Sequence, residues 1–546
     1  MATSILSIGQ SALAAAQVGL NATGHNIANA STPGYNRQVV VQGAALPQNF
    51  GFGFLGQGVE VSSVKRIYNE YLANQVQSAQ TSKNGLDIYY AQIKQVDNML
   101  ADPESGLSPA LQDFFAGIQD AATNPTSIPA RQSALSSAEA LASRFQGLAA
   151  RLDEIEQGVN SQIVSSVSVI NSFANQLAQL NDSIGRIQRA TGQPPNDLLD
   201  QRDQLVLDLN KEIKATVVKQ GDGDYNVFIG SGQPLVVGVT TYPLINVTSA
   251  SNPEKIDVAY RASNGNLITL ADSTLSGGKL GGLIDFRNKS LEPAQNALGR
   301  VAIGLAGTFN AQHQAGFDLN GVAGTAFFSA GVPLVNANAN NTGTAVIGAS
   351  IGSNVNALTT SDYRLQYDGS NYTVTRLSDN STTTFATFPQ TIDGVDLSLA
   401  SGTAVAGDSF LIRPTVSGAS GFGVAITDPV QFAAASQAGA AGNNLNALAL
   451  GALQTAKTLG NGTATFQSAY SQFVGQVGNK TRELEVTSNA AGKLLNEVTV
   501  ALQNESGVNL DEEAANLLRY QQAYQAAGKV MQIASEMFDM LLSLGQ

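Results

Sequence analysis

The hydrophobic positions near both ends of the chain recur every seven residues. A strict seven-residue repeat predicts a helix with one apolar stripe that packs against a partner helix. The sequence therefore predicts that the two ends pair with each other or with neighbouring copies, as in the subunit of an assembly. We name these positions the assembly seam: Leu6, Leu13, Leu20, Ile27, Leu510, Leu517, Tyr520, Tyr524, Met531, Phe538 and Leu541.

Helical and strand patterns alternate through the first half of the chain. Residues 3–30 predict an amphipathic helix that ends at the turn Pro33-Gly34, and residues 37–64 alternate as strands do. A seven-residue spacing from Leu72 to Leu100 predicts the next helix. From Leu141 to Ile187 the apolar steps of three and four predict a helix of about 47 residues, or about 70 Å. A helix of that length is expected in a rod or bundle.

The second half contains two stretches with strand character. The stretch from 217 to about 284 is rich in short β-branched runs between Gly, Asp and Pro, and helix returns at 290–314. A second β-rich stretch covers about 326–426, with a hairpin predicted at Tyr363–Tyr367 and Tyr372–Val374. Helix is then predicted from about Pro429 to the C-terminus, with breaks.

These patterns predict an α+β multidomain protein: a long coiled-coil-like helical stem built from both termini, with inserted β-rich outer domains. The stem would contain 1–45 and 505–546 as the two halves of an inner coiled coil. The remaining predicted units are a helical domain in three parts (46–213, 285–325 and 427–504), a small β-rich unit (214–284) and an inserted β-rich outer domain (326–426).

Composition and charge narrow the classes of partner. The net charge of −13 disfavours nucleic acid, which needs a basic surface, and also an anionic membrane. No run of apolar residues is long enough to span a bilayer, so membrane insertion is not expected. The chain contains no cysteine, which excludes disulfides and thiolate metal sites. The N-terminus lacks the basic and apolar regions of a secretory signal, so export from the cell would use another route.

Candidate chemistry is sparse. Gly51–Gly56 has the GxGxxG spacing, but the alternating residues that follow favour a hairpin over a dinucleotide loop. Asn509 with Glu512 three residues later matches a capping box at the start of a helix. The two histidines, His25 and His313, lie in different helical regions, and no nucleophile–base motif accompanies them. We therefore predict no enzyme activity, no cofactor and no metal site.

Several segments resemble the bacterial flagellar axial proteins, which comprise rod, hook and hook-associated subunits. Residues 28–38 read ANASTPGYNRQ and residues 517–526 read LLRYQQAYQA, similar to the two terminal signatures of that family. Three internal segments narrow the resemblance to the hook-associated junction proteins: PNDLLDQRD at 195–203, NVFIGSGQPL at 226–235, and NAQHQAG with DLNG between 310 and 321. No resemblance was evident for 331–426.

The resemblance implies a structural subunit at the junction between hook and filament. It also implies unfolded export through the flagellar type III apparatus, a cytoplasmic export chaperone that binds the C-terminal region, and a final extracellular place on the flagellum. The implied partners are copies of the chain in a helical ring, the hook protein and the second junction protein. The family motif residues are Asn26, Asn29, Thr32, Pro33, Gly34, Tyr35, Arg37, Arg519, Gln521 and Gln525. Of these, the polar residues Asn26, Asn29, Arg37, Gln521 and Gln525 would set register or, as the alternative, would be solvated residues on helix faces.

Two alternatives stay open at this point. One is a surface enzyme or adhesin that carries its activity in 331–426 on an axial scaffold. That segment contains aspartates but no His, Cys or Glu, which disfavours catalysis more than it disfavours contact with a surface. The other is a different axial protein, such as the second junction protein.

Overall fold

The computed structural model describes residues 2–49, 51–102, 106–221, 223–262 and 265–544, with the side chains of 2–4, 541 and 544 left out of that description. Long helices dominate it, as the heptad patterns predicted. The helices are α1 (Ala2–Ala28), α2 (Glu70–Leu100), α3 (Leu107–Thr123), α4 (Ile128–Thr191), α5 (Asn196–Glu212), α6 (Gly278–Phe286), α7 (Glu292–Gln314), α8 (Leu445–Ala452), α9 (Phe466–Ser506) and α10 (Leu510–Leu544).

The first and last helices, α1 and α10, form an antiparallel pair, which we name the terminal pair. Gly9 of α1 lies against Met531 of α10, and Gly19 lies against Tyr520, so positions rise along one helix as they fall along the other. A hairpin of β1 (Gln38–Ala44) and β4 (Val59–Arg66) runs beside α1, extended by the short pair β2 (Gln48–Asn49) and β3 (Phe54–Leu55). The glycine cluster Gly51–Gly56 therefore shapes a hairpin, as predicted.

The helical body is built on α2, α4 and α9. Helix α9 runs antiparallel to α2, as two contacts show. The Asn69 amide donates to Glu505 at one end, and the Tyr470 hydroxyl donates to the Leu100 carbonyl at the other. Helix α4 has 64 residues, longer than predicted, and spans about 96 Å. It begins after the N-cap Ser127 and ends at Gly192, whose left-handed conformation closes the last turn.

A first β unit packs directly on the helical body. It contains a four-stranded sheet, β5-β6-β7-β8, and a three-stranded sheet, β11-β10-β9, all antiparallel. Val227, Leu235 and Val258 are buried in the same hydrophobic cluster as the body helices. The strands are β5 (Ala215–Lys219), β6 (Tyr225–Ile229), β7 (Gln233–Val237), β8 (Thr240–Thr241), β9 (Leu244–Thr248), β10 (Ile256–Arg261) and β11 (Leu267–Thr269).

A second β unit has its own core. It contains a five-stranded sheet, β13-β20-β15-β16-β17, and a three-stranded sheet, β14-β19-β18. Ile303 of α7 is the body residue in its core cluster. The predicted hairpin is confirmed as β15 and β16. The strands are β13 (Leu334–Ala337), β14 (Val346–Ile351), β15 (Tyr363–Tyr367), β16 (Tyr372–Arg376), β17 (Thr382–Phe385), β18 (Gln390–Ile392), β19 (Val395–Ser401) and β20 (Ser409–Arg413).

The residues on either side of this unit belong to the body. Strand β12 (Phe328–Ser329) pairs with β21 (Gly423–Val424), and Phe327 and Phe422 lie in the core that the helices share. We therefore propose 334–413 as the limits of the outer domain, narrower than the 326–426 that composition predicted.

The prediction of helix from Pro429 onward was wrong for 432–444 and for 453–465. Past a 3₁₀ turn at Pro429–Gln431, the Ala-rich and Gly-rich segment 432–444 has no helical hydrogen-bond pattern, and several of its backbone groups bond to distant parts of the chain. Ala435 exchanges backbone hydrogen bonds with Phe317, and the Ala433 N–H donates to His313 Nε2 at 2.9 Å. These bonds satisfy backbone groups that a helix would otherwise pair internally, so α8 begins only at Leu445.

Candidate assembly interface

Small residues form the pairing face between α1 and α10. Ala15 and Ala16 of α1 and Ala527 and Ala534 of α10 are buried. A Cβ atom on Gly19 would overlap the Tyr520 ring, so only glycine lets the helices approach this closely at that position. The pair therefore depends on the small size of these residues, which lets Tyr520 and Met531 of α10 pack directly over Gly19 and Gly9 of α1.

Most of the assembly seam flanks this pairing face, but two of its members, Tyr520 and Met531, pack directly against Gly19 and Gly9 of α1. Leu13, Leu20, Tyr520 and Met531 are partly buried. The other described members are exposed and so lie open to a neighbour: Leu6, Ile27, Leu510, Leu517, Tyr524 and Phe538. The side chain of Leu541 lies outside the described residues. Tyr520 takes an inner position because it belongs to a second seven-residue repeat on α10, which continues with the buried Ala527 and Ala534.

Residues 29–37, which we name the motif loop, connect α1 to β1 and are held in place by Asn26 and Asn29. The Asn26 amide accepts from the Tyr35 hydroxyl at 2.7 Å and from the Gln38 N–H at 2.9 Å, and it donates to the Gln38 carbonyl at 2.9 Å. It thus pairs with the edge of β1 as a neighbouring strand would. Asn29 donates to the His25 carbonyl at 3.0 Å and accepts from Thr32 at 3.1 Å.

The rest of that loop turns the chain into β1. Pro33 is exposed in the turn, and Gly34 has a φ of 78°, a left-handed conformation that glycine adopts without strain. Burial raises the pKa of the Tyr35 hydroxyl, and nearby Asp197 adds to that shift. Tyr35 therefore stays protonated and keeps donating to Asn26.

Arg37 connects the two termini. Its guanidinium forms an ion pair with Glu512, and its backbone N–H donates to the Ser506 carbonyl at 2.8 Å. Asn509 caps α10 as predicted, accepting from the backbone N–H groups of Asp511 at 3.0 Å and Glu512 at 3.3 Å. The Glu512 carboxylate pairs with Arg37 and so links the two termini. It does not complete the predicted capping box with Asn509.

A row of carboxylates on α5 anchors the terminal pair to the body. Asp200 is buried and accepts from Asn36 twice, from its backbone N–H at 3.0 Å and from its amide at 2.6 Å. Arg66 at the end of β4 donates to Asp200 at 2.8 Å and to Asp203 at 2.6 Å. Asp197 accepts from the Gln38 amide at 2.7 Å. The spacing of three places all three carboxylates on one face of α5.

At this anchor, burial and hydrogen bonding shift the pKa of the Asp200 carboxyl in opposite directions. Burial raises the pKa of Asp200, while the hydrogen bonds from Asn36 and Arg66 act in the opposite direction. The Tyr225 hydroxyl donates to Asp203 at 2.8 Å, and the Arg202 guanidinium stacks 3.4 Å above the Tyr225 ring. Removing Asp200 would therefore take both carboxylate bonds from Asn36 and leave Arg66 with Asp203 as its remaining carboxylate partner.

Sequence reasoning did not assign Asp197, Asp200, Asp203, Asn36 or Arg66 to a site. The acidic residues were visible only as part of the family-like segment PNDLLDQRD. Their spacing of three on a predicted helix was the available signal, but their partners lie more than 130 residues away in sequence.

The C-terminal motif residues lie apart from this anchor. Arg519 stacks on the Tyr520 ring at 4.9 Å, and Gln521 and Gln525 are exposed on α10. His313, buried in the body, bonds through both ring nitrogens, to the Thr325 carbonyl and the Ala433 N–H, and burial lowers its pKa. Within the described residues no His, Cys, Asp and Glu side chains cluster as a metal site would require. No described helix is apolar enough over its length to cross a membrane.

Family models match the chain in four segments. Residues 6–36 match the flagella basal body rod protein, and residues 502–544 match the flagellar basal body rod FlgEFG protein C-terminal region. Residues 93–328 match the flagellar hook-associated protein FlgK helical domain. Residues 336–414 match the D2-like domain of flagellar hook-associated protein 1, within the segment for which the sequence showed no resemblance.

Whole-chain relatives agree with these segments. The chain is 38% identical to flagellar hook-associated protein 1 of Escherichia coli over 99% of this chain and 100% of that protein. It is 24% identical to the protein of that name in Bacillus subtilis, over 97% and 96%. The flagellar hook junction protein FlgK from Burkholderia pseudomallei superposes with a TM-score of 0.75 at 31% identity, over 79% of this chain and 99% of that one. The chain belongs to the flagellar hook-associated protein 1 family.

Proposed function

We propose that the chain is a structural subunit of the bacterial flagellum that forms the junction between hook and filament and allows the filament to assemble. One observation carries the proposal: the terminal pair presents exposed apolar seam side chains along both α1 and α10. Exposed apolar stripes of this kind mark interaction surfaces. Family membership places the chain among hook-associated proteins.

The seam fits copies of the same chain arranged in a helical ring. Leu6 and Ile27 on α1 and Leu517 and Phe538 on α10 extend over nearly the whole length of the pair. A contact of that length is suited to a coiled-coil-like layer between neighbours. The hook protein on one side of the ring and the second junction protein on the other are the neighbours we propose at its two faces.

We further propose that the chain leaves the cell unfolded through the flagellar type III apparatus and takes its place outside. The absence of cysteine fits this route, because folding after export then needs no disulfide formation. Before export, the exposed apolar side chains of α10 would need cover, which a chaperone bound to the C-terminal region supplies. The proposed role is structural and involves no catalysis.

A deletion strain tests the function. Without the chain, cells should carry hooks but no filaments, and secreted flagellin should accumulate in the medium. The wild-type gene on a plasmid should restore filaments, and a plasmid without the gene is the control. Normal filaments on the deletion strain would contradict the proposal.

A further inference from the structure

The tip of the β1–β4 hairpin exposes apolar side chains to an unusual degree. Leu46 is 88% exposed, Phe54 is 72% exposed, and Phe52 and Leu55 are exposed beside them. From Gln38 to Val59 the sequence contains no charged residue. We name residues 46–49 and 51–57 the hairpin tip. An uncharged tip with exposed aromatic rings favours burial against another surface.

The hairpin runs along α1 toward the N-terminal end of that helix. At its base, Gln38 bonds Asn26. Further along, the Val59 N–H donates to Ser11 Oγ at 3.3 Å, and a Cβ on Gly58 would contact the Ile8 backbone. The hairpin tip follows beyond that contact, so it lies near the free end of the terminal pair.

A cleft lies at the opposite end of the terminal pair. It has a volume of about 640 Å³ and opens between the motif loop, α2, α5 and α9. We name it the motif cleft; its lining includes Tyr35, Val76, Leu207, Leu502, Gln503 and Val508. The volume falls in the range of about 300–1,000 Å³ that holds ligand-sized groups. Its one acidic lining residue, Asp203, is already paired with Arg66.

The tip of a chain cannot reach its own motif cleft. Helix α1 runs 20 residues from Ile8, beside the tip, to Ala28, beside the cleft, which corresponds to about 30 Å. Any tip that enters a cleft therefore comes from another molecule. A contact between two different patches of identical chains repeats from copy to copy and builds a ring or a helix.

Charge favours a second copy of this chain as the occupant. Each copy carries a net charge of −13, so most approaches between copies are opposed by repulsion. The hairpin tip is uncharged, and beside the cleft the charges of Asp200 and Asp203 are balanced by Arg66 and Arg202. The hairpin tip and the motif cleft are thus two surfaces that can meet without electrostatic repulsion between them.

We propose that the hairpin tip of one copy inserts Phe54 and its apolar neighbours into the motif cleft of the next copy. The inference rests on the proposed function, because it needs copies arranged in a repeating assembly. It adds a second, heterologous contact to the one along the assembly seam.

Disulfide trapping tests this contact in assembled flagella, since the chain contains no cysteine of its own. The variant Phe54→Cys with Gln503→Cys replaces the chromosomal copy, and flagella are oxidised and run on a non-reducing gel. We expect a ladder of dimers, trimers and larger species, because each copy carries both halves of the contact. The matched control is Phe54→Cys with Ala501→Cys, which places the second thiol on an exposed position of α9 that does not line the cleft.

Three results would overturn the inference: no ladder on cells that carry normal filaments, an equal ladder in the control, or a cross-link only to a different flagellar protein. In each case filaments are present, so the proposed function stands while the contact fails. If Phe54→Cys itself prevents filaments, Gln48→Cys with Gln503→Cys keeps the aromatic ring and must give the ladder. A strain with the wild-type gene that lacks filaments would instead count against the function.

Discussion

At the scale of single residues, Asp200 is the strongest link between the terminal pair and the body. It is buried, and it accepts two hydrogen bonds from Asn36 and one from Arg66. Without Asp200, the buried Arg66 keeps only Asp203 as a carboxylate partner and Asn36 loses two buried hydrogen bonds, which is more costly than losing an exposed pair.

Replacing Asp200 with Ala should therefore lower the free energy of unfolding by about 2 kcal/mol. Asp197→Ala is the matched control one turn earlier on α5, where the carboxylate is largely exposed and 3.6 Å from His25. That variant should change stability by no more than about 0.5 kcal/mol. Urea unfolding followed by circular dichroism measures both, and equal effects would show that the anchor depends on neither burial nor Arg66.

Asp362 provides a prediction about pH at the base of the outer domain. Burial raises its pKa to about 6, although Arg413 acts against that shift, and the Asn296 amide donates to it at 2.9 Å. Between about pH 4 and 6 the folded chain keeps a proton on Asp362 that the unfolded chain releases. Stability from this group is therefore greatest below about pH 4 and is lost as pH rises through 6.

The variant Asp362→Asn removes that dependence. Wild type should lose about 2–3 kcal/mol of unfolding free energy relative to Asp362→Asn between pH 4 and pH 7. Urea titrations of both proteins at four pH values in this range measure the difference. A difference that stays constant across the range would contradict the account.

At the scale of elements, the pairing of α1 with α10 depends on where glycine is placed. Ala normally stabilises a helix relative to Gly by about 1 kcal/mol. Gly19→Ala should nonetheless impair assembly, because the added methyl group overlaps Tyr520. Gly24→Ala is the control on the same helix, since nothing lies within 4 Å of its Cβ position. Filaments counted per cell should fall for the first variant only; equal counts would mean that close approach at Gly19 is not required.

Local patterns predicted the elements better than the contacts between them. The heptad spacing from Leu72 to Leu100 and the alternation at 363–376 correspond to α2 and to the β15–β16 hairpin, because each pattern is set within one element. The irregular segment 432–444 was missed because its backbone partners lie on distant parts of the chain.

The same reason limits what the sequence shows of the candidate site. The sequence of α10 contains two seven-residue repeats, one beginning at Leu510 and one that includes Tyr520, Ala527 and Ala534. Only the packed structure shows which of the two faces α1. The anchor at Asp200 joins residues 164 positions apart, and no local pattern encodes such a pairing.

At the scale of the whole molecule, we propose that the outer domain at 334–413 can be removed without unfolding the body. Leu334 and Arg413 are partners in the β13–β20 ladder, so the two ends of the domain lie side by side. Replacing 334–413 with a short Gly/Ser linker should leave a folded, exported protein that still supports filaments. Thermal unfolding and filament counts measure both properties.

A longer deletion gives the matched control. Removing 326–426 also takes Phe327, Phe328 and Phe422 out of the body core, so this variant should be unstable. If the shorter deletion is stable and exported but forms no filament, the outer domain is part of the junction itself.

We propose that copies assemble on the exposed seam of the terminal pair. Leu517→Asp tests this because Leu517 is 37% exposed in a single copy, and an added charge there costs more once a neighbour covers the rest of the side chain. Gln532→Asp is the control on the polar face of α10. In the deletion strain, we predict that Leu517→Asp is folded and exported yet yields no filaments, whereas Gln532→Asp restores them. Normal filaments with Leu517→Asp would contradict the account.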